Sequence, residues 1–267
     1  MRCSICGIRI DSVEDADEEG WYPCFYEGND LHDVACPSCM TLVSNIEELA
    51  RQKISGDNRW YTWDMDDGKL PNGIRLPSGS PYKRNVLLKR ALHASWVEGT
   101  EDDKYEIIRW YIVEWGGIKG NKRETIQSYS SNDIDKLIAL GKRGIASWSK
   151  ALCIYEPELY PIFDARVSAS LNAMLVFGRE PRPRLFPCLP SQNKTIKAAN
   201  RLLRNLAKER GLDIIGDSEF YSIYMKILKN TLRKLPEHEG IGVFTLEMLL
   251  FSLTKDLLEK AFPGRLP

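Results

Sequence analysis

No stretch of this 267-residue chain approaches the roughly 18 consecutive apolar residues of a bilayer-spanning helix. Its first residues, Met1-Arg2-Cys3-Ser4-Ile5-Cys6, contain no apolar signal region. A cytoplasmic protein with no membrane partner is the expectation. Histidine is scarce, at three residues, which leaves little for histidine-based chemistry; His93 and His238 read as structural or surface groups. Beyond residue 81 alternating apolar and polar strand patterns are rare, which argues against a parallel-sheet enzyme. No nucleotide cofactor is expected. The chain also lacks internal repeats and low-complexity segments, and its 43% hydrophobic content suffices for a buried core. Cysteine totals seven, and only Cys153 and Cys188 fall in the larger part, too few for an iron–sulfur cluster there.

What is present is unevenly distributed. Net charge is zero, yet residues 1 to 48 carry two basic side chains, Arg2 and Arg9, against eleven acidic ones. The remaining 219 residues therefore balance to +9, with 35 basic against 26 acidic. The larger part is the better partner for a polyanion, although a merely solvated basic surface has the same composition.

Four cysteines form two knuckles, Cys3-Ser4-Ile5-Cys6 and Cys36-Pro37-Ser38-Cys39, separated by 29 residues. Each tight turn can present two thiolates to one ion, and two such turns complete a tetrahedral Zn²⁺ site. With four protein ligands the zinc has no open position, so its role is structural. Disulfides are the competing use of these cysteines, and Cys24 and His32 are second-ranked ligands. A helix over Met40 to Gln52 opens at the second knuckle, in a treble-clef or zinc-ribbon arrangement. The predicted organisation is a zinc-binding module at 1–54, a Gly-, Pro- and Asp-rich linker at 55–81 that packs on its neighbour through Trp60, Tyr61 and Trp63, and a helical domain at 82–267.

Within that mainly α domain, apolar periodicity predicts helices near 84–98, 102–115, 132–141, 147–155, 163–177, 193–210, 217–234 and 244–261. Asn132-Asp133 and Asp217-Ser218-Glu219 are start signals, and Gly211 is a stop.

The chemistry concentrates between Leu140 and Leu171. A basic turn, Leu140-Gly141-Lys142-Arg143-Gly144, offers backbone amides that can hold a phosphate, helped by Lys142, Arg143 and Ser147. Lys150 follows on a short helix, and Asp164 stands at the head of the next apolar one. An ionised carboxylate there can stabilise the positive charge that develops on a sugar as an N-glycosidic bond breaks. It can equally be an N-cap, and the two roles are compatible. Gly116-Gly117-Ile118-Lys119-Gly120-Asn121-Lys122-Arg123 forms a second basic loop, with Lys119 and Lys122 as phosphate contacts, though a plain surface turn reads the same way. Arg166 is placed to meet a phosphate or to pair with Asp164. Trp115, Trp110 and Phe163 are candidate walls for an extruded base; most aromatics at helical spacing are core.

Gly144-Ile145-Ala146-Ser147-Trp148-Ser149-Lys150-Ala151-Leu152 followed by Tyr160-Pro161-Ile162-Phe163-Asp164 resembles the helix-hairpin-helix DNA glycosylase superfamily, most closely its 8-oxoguanine-glycosylase-like bacterial branch. Glu114-Trp115-Gly116-Gly117-Ile118 and Thr245-Leu246-Glu247-Met248-Leu249-Leu250-Phe251 also look like segments of that branch. The resemblance implies a helical glycosylase fold, DNA as partner, a monomer, hairpin amides on one strand and Asp164 as the catalytic aspartate. Matching Ser149-Lys150 to the family's Ser/Thr-Lys pair makes Lys150 the Schiff-base lysine; an ungapped match from Gly144-Ile145 puts Trp148 in that slot, as in monofunctional members. Two departures stand out. The usual Gly-hydrophobic-Gly is Gly144-Ile145-Ala146, and the connection from Lys150 to Asp164 is short. A rival Gly240-Ile241-Gly242 leaves no room for a following carboxylate helix.

The expected function is removal of a damaged or modified base from DNA, the zinc module and trimmed loop suggesting a specialised substrate such as the hypermodified bases of invading phage DNA. The alternatives are a non-catalytic DNA-binding adaptor that recruits through its zinc module and, less favoured for want of a second nearby histidine, a zinc-stabilised nuclease.

Overall fold

The computed structural model of the chain describes residues 1–21, 34–54, 59–71, 73–178, 180, 182–236 and 241–267. Cys24, His32, His238 and Gly240 lie outside the described residues. Among those described the protein is mainly helical, and the extended pairing consists of two isolated bridges, Arg2 with Arg9 and Leu185 with Ile214. No helix of the described residues is long and apolar enough to cross a membrane.

Among the described residues twelve α-helices follow in order: α1 (Val13–Glu18), α2 (Pro37–Lys53), α3 (Pro81–Glu98), α4 (Glu101–Trp110), α5 (Arg123–Tyr129), α6 (Ile134–Ala139), α7 (Ile145–Tyr155), α8 (Ala165–Phe177), α9 (Lys194–Arg210), α10 (Phe220–Lys234), α11 (Val243–Ser252) and α12 (Thr254–Ala261). Local chemistry explains several ends. Ser80 caps α3 through the Lys83 amide, with Pro81 in the first turn. Thr100 and Asp103 cap α4 reciprocally. Asp133 caps α6, and Gly211 ends α9 in the left-handed conformation at φ 62°. The helix expected over 244–261 is two, broken at Leu253, while α1 and α5 are too short for a periodic signal.

The chain divides into two compact units, one made of residues 1–49, 165–236 and 254–267, the other of 50–164 and 237–253. In the first, α8 packs against α12 and α9. In the second, α3 packs on α7 and α4, and α6 on α7. A hydrophobic cluster of Tyr61, Tyr82, Val86, Phe244 and Met248, flanked by Trp60, Trp63 and Phe251, joins the 59–71 segment to α3 and α11. Helix α4 runs into a π turn, Tyr111–Trp115, closed by the Gly116 amide on the Tyr111 carbonyl at 3.0 Å. Such turns shift side chains out of regular helical register.

Candidate functional site

Two constellations stand out, one in each unit. In the first unit Cys3, Cys6, Cys36 and Cys39 bring their sulfurs within 4.8 Å of one another. The backbone builds this: the Gly7 amide turns back to the Cys3 carbonyl, Ser4 bonds the Val34 carbonyl at 2.8 Å, and Cys36 immediately precedes α2. Amides of Cys6 and Cys36 point at the Cys3 sulfur, at 3.5 and 3.4 Å. Sulfurs bound to one ion at about 2.3 Å in a tetrahedron lie about 3.8 Å apart, and Cys6 to Cys36 measures 3.6 Å. All four are free thiols. Leu42, Phe186, Ile215, Ile223 and Ile227 wall the cluster. Four thiols this close could hold a metal ion, and their crowding splits their acidity. Hydrogen bonding, chiefly with Cys36, pulls Cys3 well below the ordinary thiol value, while Cys39 is pushed well above it, first by its bond with Cys3.

In the second unit the segments that carry the sequence-predicted lysine and aspartate are tied to each other. Ser149 is the connector: its buried hydroxyl accepts from the Phe163 amide at 3.1 Å and donates to the Ile145 carbonyl at 2.6 Å. The segment entering Asp164 is thereby fixed to α7, one residue from Lys150. Lys150 is 5% exposed, and its ammonium donates to the Ala146 carbonyl at 2.7 Å. Burial lowers its pKa below the ordinary lysine value, the carboxylates of Asp164 and then Glu247 oppose that, and Lys89 reinforces it. Asp164 is half-buried.

Space for the lysine comes from Gly116, where a Cβ would sit 2.7 Å from Lys150 Cε. This glycine of the second basic loop thus admits a side chain of the same chain. Trp115, just before it, lies with its ring centroid 6.0 Å from Lys150 Nζ. This indole is held rigidly: it stacks on Tyr111 at 4.4 Å, meets Trp63 edge-on, and donates to Asn85 Oδ1 at 2.9 Å. Of the other aromatic candidates, Phe163 is wholly buried, and Trp110 is buried with its indole N–H on the Lys69 carbonyl. Trp148 is buried too, donating to the Gly141 carbonyl at 3.1 Å.

The turn between α6 and α7 is set by two left-handed glycines, Gly141 at φ 57° and Gly144 at φ 71°. At Gly144 a Cβ would also sit 2.7 Å from the Tyr129 hydroxyl. The Gly141 amide is spent inside the turn, on the Ile138 carbonyl at 3.0 Å. Lys142, Arg143 and Gly144 are exposed. Ser147 accepts from Asn121 at 2.8 Å, which brings the loop bearing exposed Lys119 and Lys122 to the start of α7. Arg166 is half-buried in the first turn of α8, in the other unit. His93 bonds the Ile154 carbonyl through Nδ1 at 2.9 Å, in a structural position.

Sequence reasoning missed the buried ion pair behind this site. Lys89 on α3 meets Glu247 on α11 at 2.7 Å, their side chains 2% and 4% exposed. Burial pushes the Glu247 carboxyl above its ordinary value despite that ammonium; burial also pulls Lys89 down, but the charge and hydrogen bond of Glu247, with Cys153 and Tyr82, together hold it above its own. Cys153 and the Tyr111 hydroxyl lie beside the pair; burial raises the Cys153 thiol to about 11, so it is inert at neutral pH. Charges set within Val86-Leu87-Leu88-Lys89 and Leu246-Glu247-Met248-Leu249 were the available signal. Glu247→Ala is expected to cost about 3–5 kcal/mol in urea unfolding, because it strands a buried ammonium, whereas Lys89→Met combined with Glu247→Leu costs far less. Equal losses in the two proteins would show that the pair does not behave as a coupled unit.

Comparison of the chain with family models, with curated proteins and with solved structures finds no match.

Proposed function

We propose that the chain is a DNA N-glycosylase of the helix-hairpin-helix kind, with α6, its glycine turn and α7 as the hairpin, and that its four cysteines hold a structural Zn²⁺. The observation that carries the reading is a buried lysine whose own helix is tied through Ser149 to the segment that leads into the Asp164 carboxylate. Amine nucleophiles need the neutral form, which burial favours. The Asp164 carboxylate stabilises the cationic sugar as the base departs.

In this mechanism the Lys150 amine attacks C1′ of the extruded nucleotide while the C1′–N bond breaks. The base leaves with that electron pair and takes a proton from solvent. The amine then loses a proton, C1′–O4′ opens with its pair going to O4′, which is protonated, and the nitrogen lone pair forms the C1′=N bond of the Schiff base. Trp115, fixed by Asn85 and Tyr111, serves as the wall against which the base stacks. The DNA strand is met at the exposed part of the turn, Lys142, Arg143 and Gly144, with Lys119 and Lys122 on the loop joined to α7 through Asn121. Gly141 contributes shape rather than an amide.

Incubation with DNAs of differing modification, hypermodified phage DNA included, followed by mass spectrometry of released bases, tests the activity. One modified base should appear free. Borohydride should trap a protein–DNA adduct at Lys150 that Lys150→Gln abolishes, and trapping should begin at lower pH than an ordinary lysine requires. Base release without an adduct would instead make water the nucleophile; no release from any DNA would remove the enzymatic reading.

A further inference from the structure

Helix α9 carries six basic residues and one acidic one, Glu209. Five of the six, Lys194, Lys197, Arg201, Arg204 and Lys208, are spaced three and four residues apart in strict alternation. At about 100° per residue they fall within an arc of about 80°, a single row about 21 Å long. All five are exposed. Among the described residues none makes an ion pair. The opposite face is fully committed: Ile196, Ala199, Leu203 and Ala207 are buried, and Asn200 donates to the Leu189 carbonyl at 2.8 Å.

Like charges three and four apart destabilise a helix, and this row contains four such neighbouring pairs without an acidic side chain between them. A fold gains nothing internal from that pattern. We propose that the exposed face of α9 binds the phosphate backbone of double-stranded DNA, as a surface distinct from the lysine–aspartate site and independent of base excision. The row's length of about 21 Å spans about six base-pair steps of about 3.4 Å along the duplex axis. A membrane surface fits less well, because an interfacial helix needs an apolar face to insert and here that face is in the core. Single strands are gripped by stacking on aromatics, and the arc has none. Nor does it offer the neutral polar row that would meet the 2′-hydroxyls of RNA.

The test uses the full-length protein and a short undamaged duplex, with anisotropy titrations over a range of salt. The variant carrying Lys197→Gln, Arg201→Gln and Arg204→Gln should bind roughly tenfold or more weakly, and its log–log salt slope should fall by about 0.9 for each cation removed. A charge-keeping variant, Lys197→Arg with Arg201→Lys and Arg204→Lys, should retain both values. Circular dichroism checks that α9 remains helical; if the triple neutralisation unfolds the chain, single Arg201→Gln and Arg204→Gln variants should each show a slope smaller by about 0.9. An unchanged slope in a folded neutralised protein overturns the proposal. So does loss of binding to phosphatidylserine vesicles instead of DNA, or preference for duplex RNA over duplex DNA. Single-turnover base release at saturating DNA should not respond to these variants, so a failure here is distinguishable from a failure of the glycosylase reading.

Discussion

Asp164→Asn is expected to lower base release by about 10²-fold or more while leaving DNA affinity and stability nearly unchanged. The size follows from deleting a preorganised charge aimed at a charged transition state. The choice of Asn separates two uses of the residue. Asparagine caps a helix as well as aspartate does, so a residue that merely starts α8 tolerates the change, whereas one that stabilises a cationic sugar does not. A second readout reaches Lys150. The Asp164 charge holds the ammonium up against the lowering effect of burial, and without it the neutral amine should appear at lower pH. On DNA with a preformed abasic site, where no base must leave, borohydride trapping by Asp164→Asn should therefore reach its half-maximum at lower pH than in the parent. Release lost with an unmoved trapping profile would place the two groups out of electrostatic contact. Release retained would leave Asp164 a cap and favour a DNA-binding adaptor.

Much of this was legible because it is local. Two Cys-x-x-Cys turns announce a four-sulfur cluster, since a knuckle is geometry fixed within four residues. Most helices follow from apolar periodicity, and two of their ends from Asp133 and Gly211. Lys150 and Asp164 were legible as residue types in the right order, but the tie between their segments is made by Ser149, whose hydroxyl spans 14 residues to Phe163. No spacing rule reports such a bond. The Lys89–Glu247 pair was invisible for the same reason: its partners are 158 residues apart, and each alone reads as a stray charge in an apolar helix. Gly116 carried a signal that pointed elsewhere. A glycine in a basic loop suggests a ligand, yet here the missing side chain makes room for Lys150. Phe163 and Trp110 illustrate the base rate of aromatics at helical spacing, which mostly fill core. The break at Leu253 coincides with the passage of the chain from one unit to the other, a property of long-range packing that periodicity does not encode.

Removing the metal is expected to have the largest effect on stability. Zinc bound by four thiolates contributes an apparent 10–16 kcal/mol or so in isolated small modules, comparable with the entire stability of a typical domain, about 5–15 kcal/mol. The cluster is walled by Leu42, Phe186, Ile215, Ile223 and Ile227, from α2, the segment after α8, the approach to α10, and α10 itself. Loss of the ion would leave four mutually crowded thiols facing that largely apolar wall, with only Arg184 nearby to offset thiolate charge. Damage should consequently extend through the unit of residues 1–49, 165–236 and 254–267 rather than remain at the first fifty residues. Elemental analysis should find one zinc per chain, and a strong chelator should release it with a large fall in melting temperature and faster hydrogen exchange in α10. Cys39→Ser should reproduce the loss, because Cys39 is buried at the start of α2 and its replacement by a poorer ligand opens the tetrahedron. Slow amides in α3 and α7, which belong to the other unit, should be the more protected set under chelation. A metal-free protein that melts and exchanges like the parent would show that the sulfur cluster is not what holds this unit together.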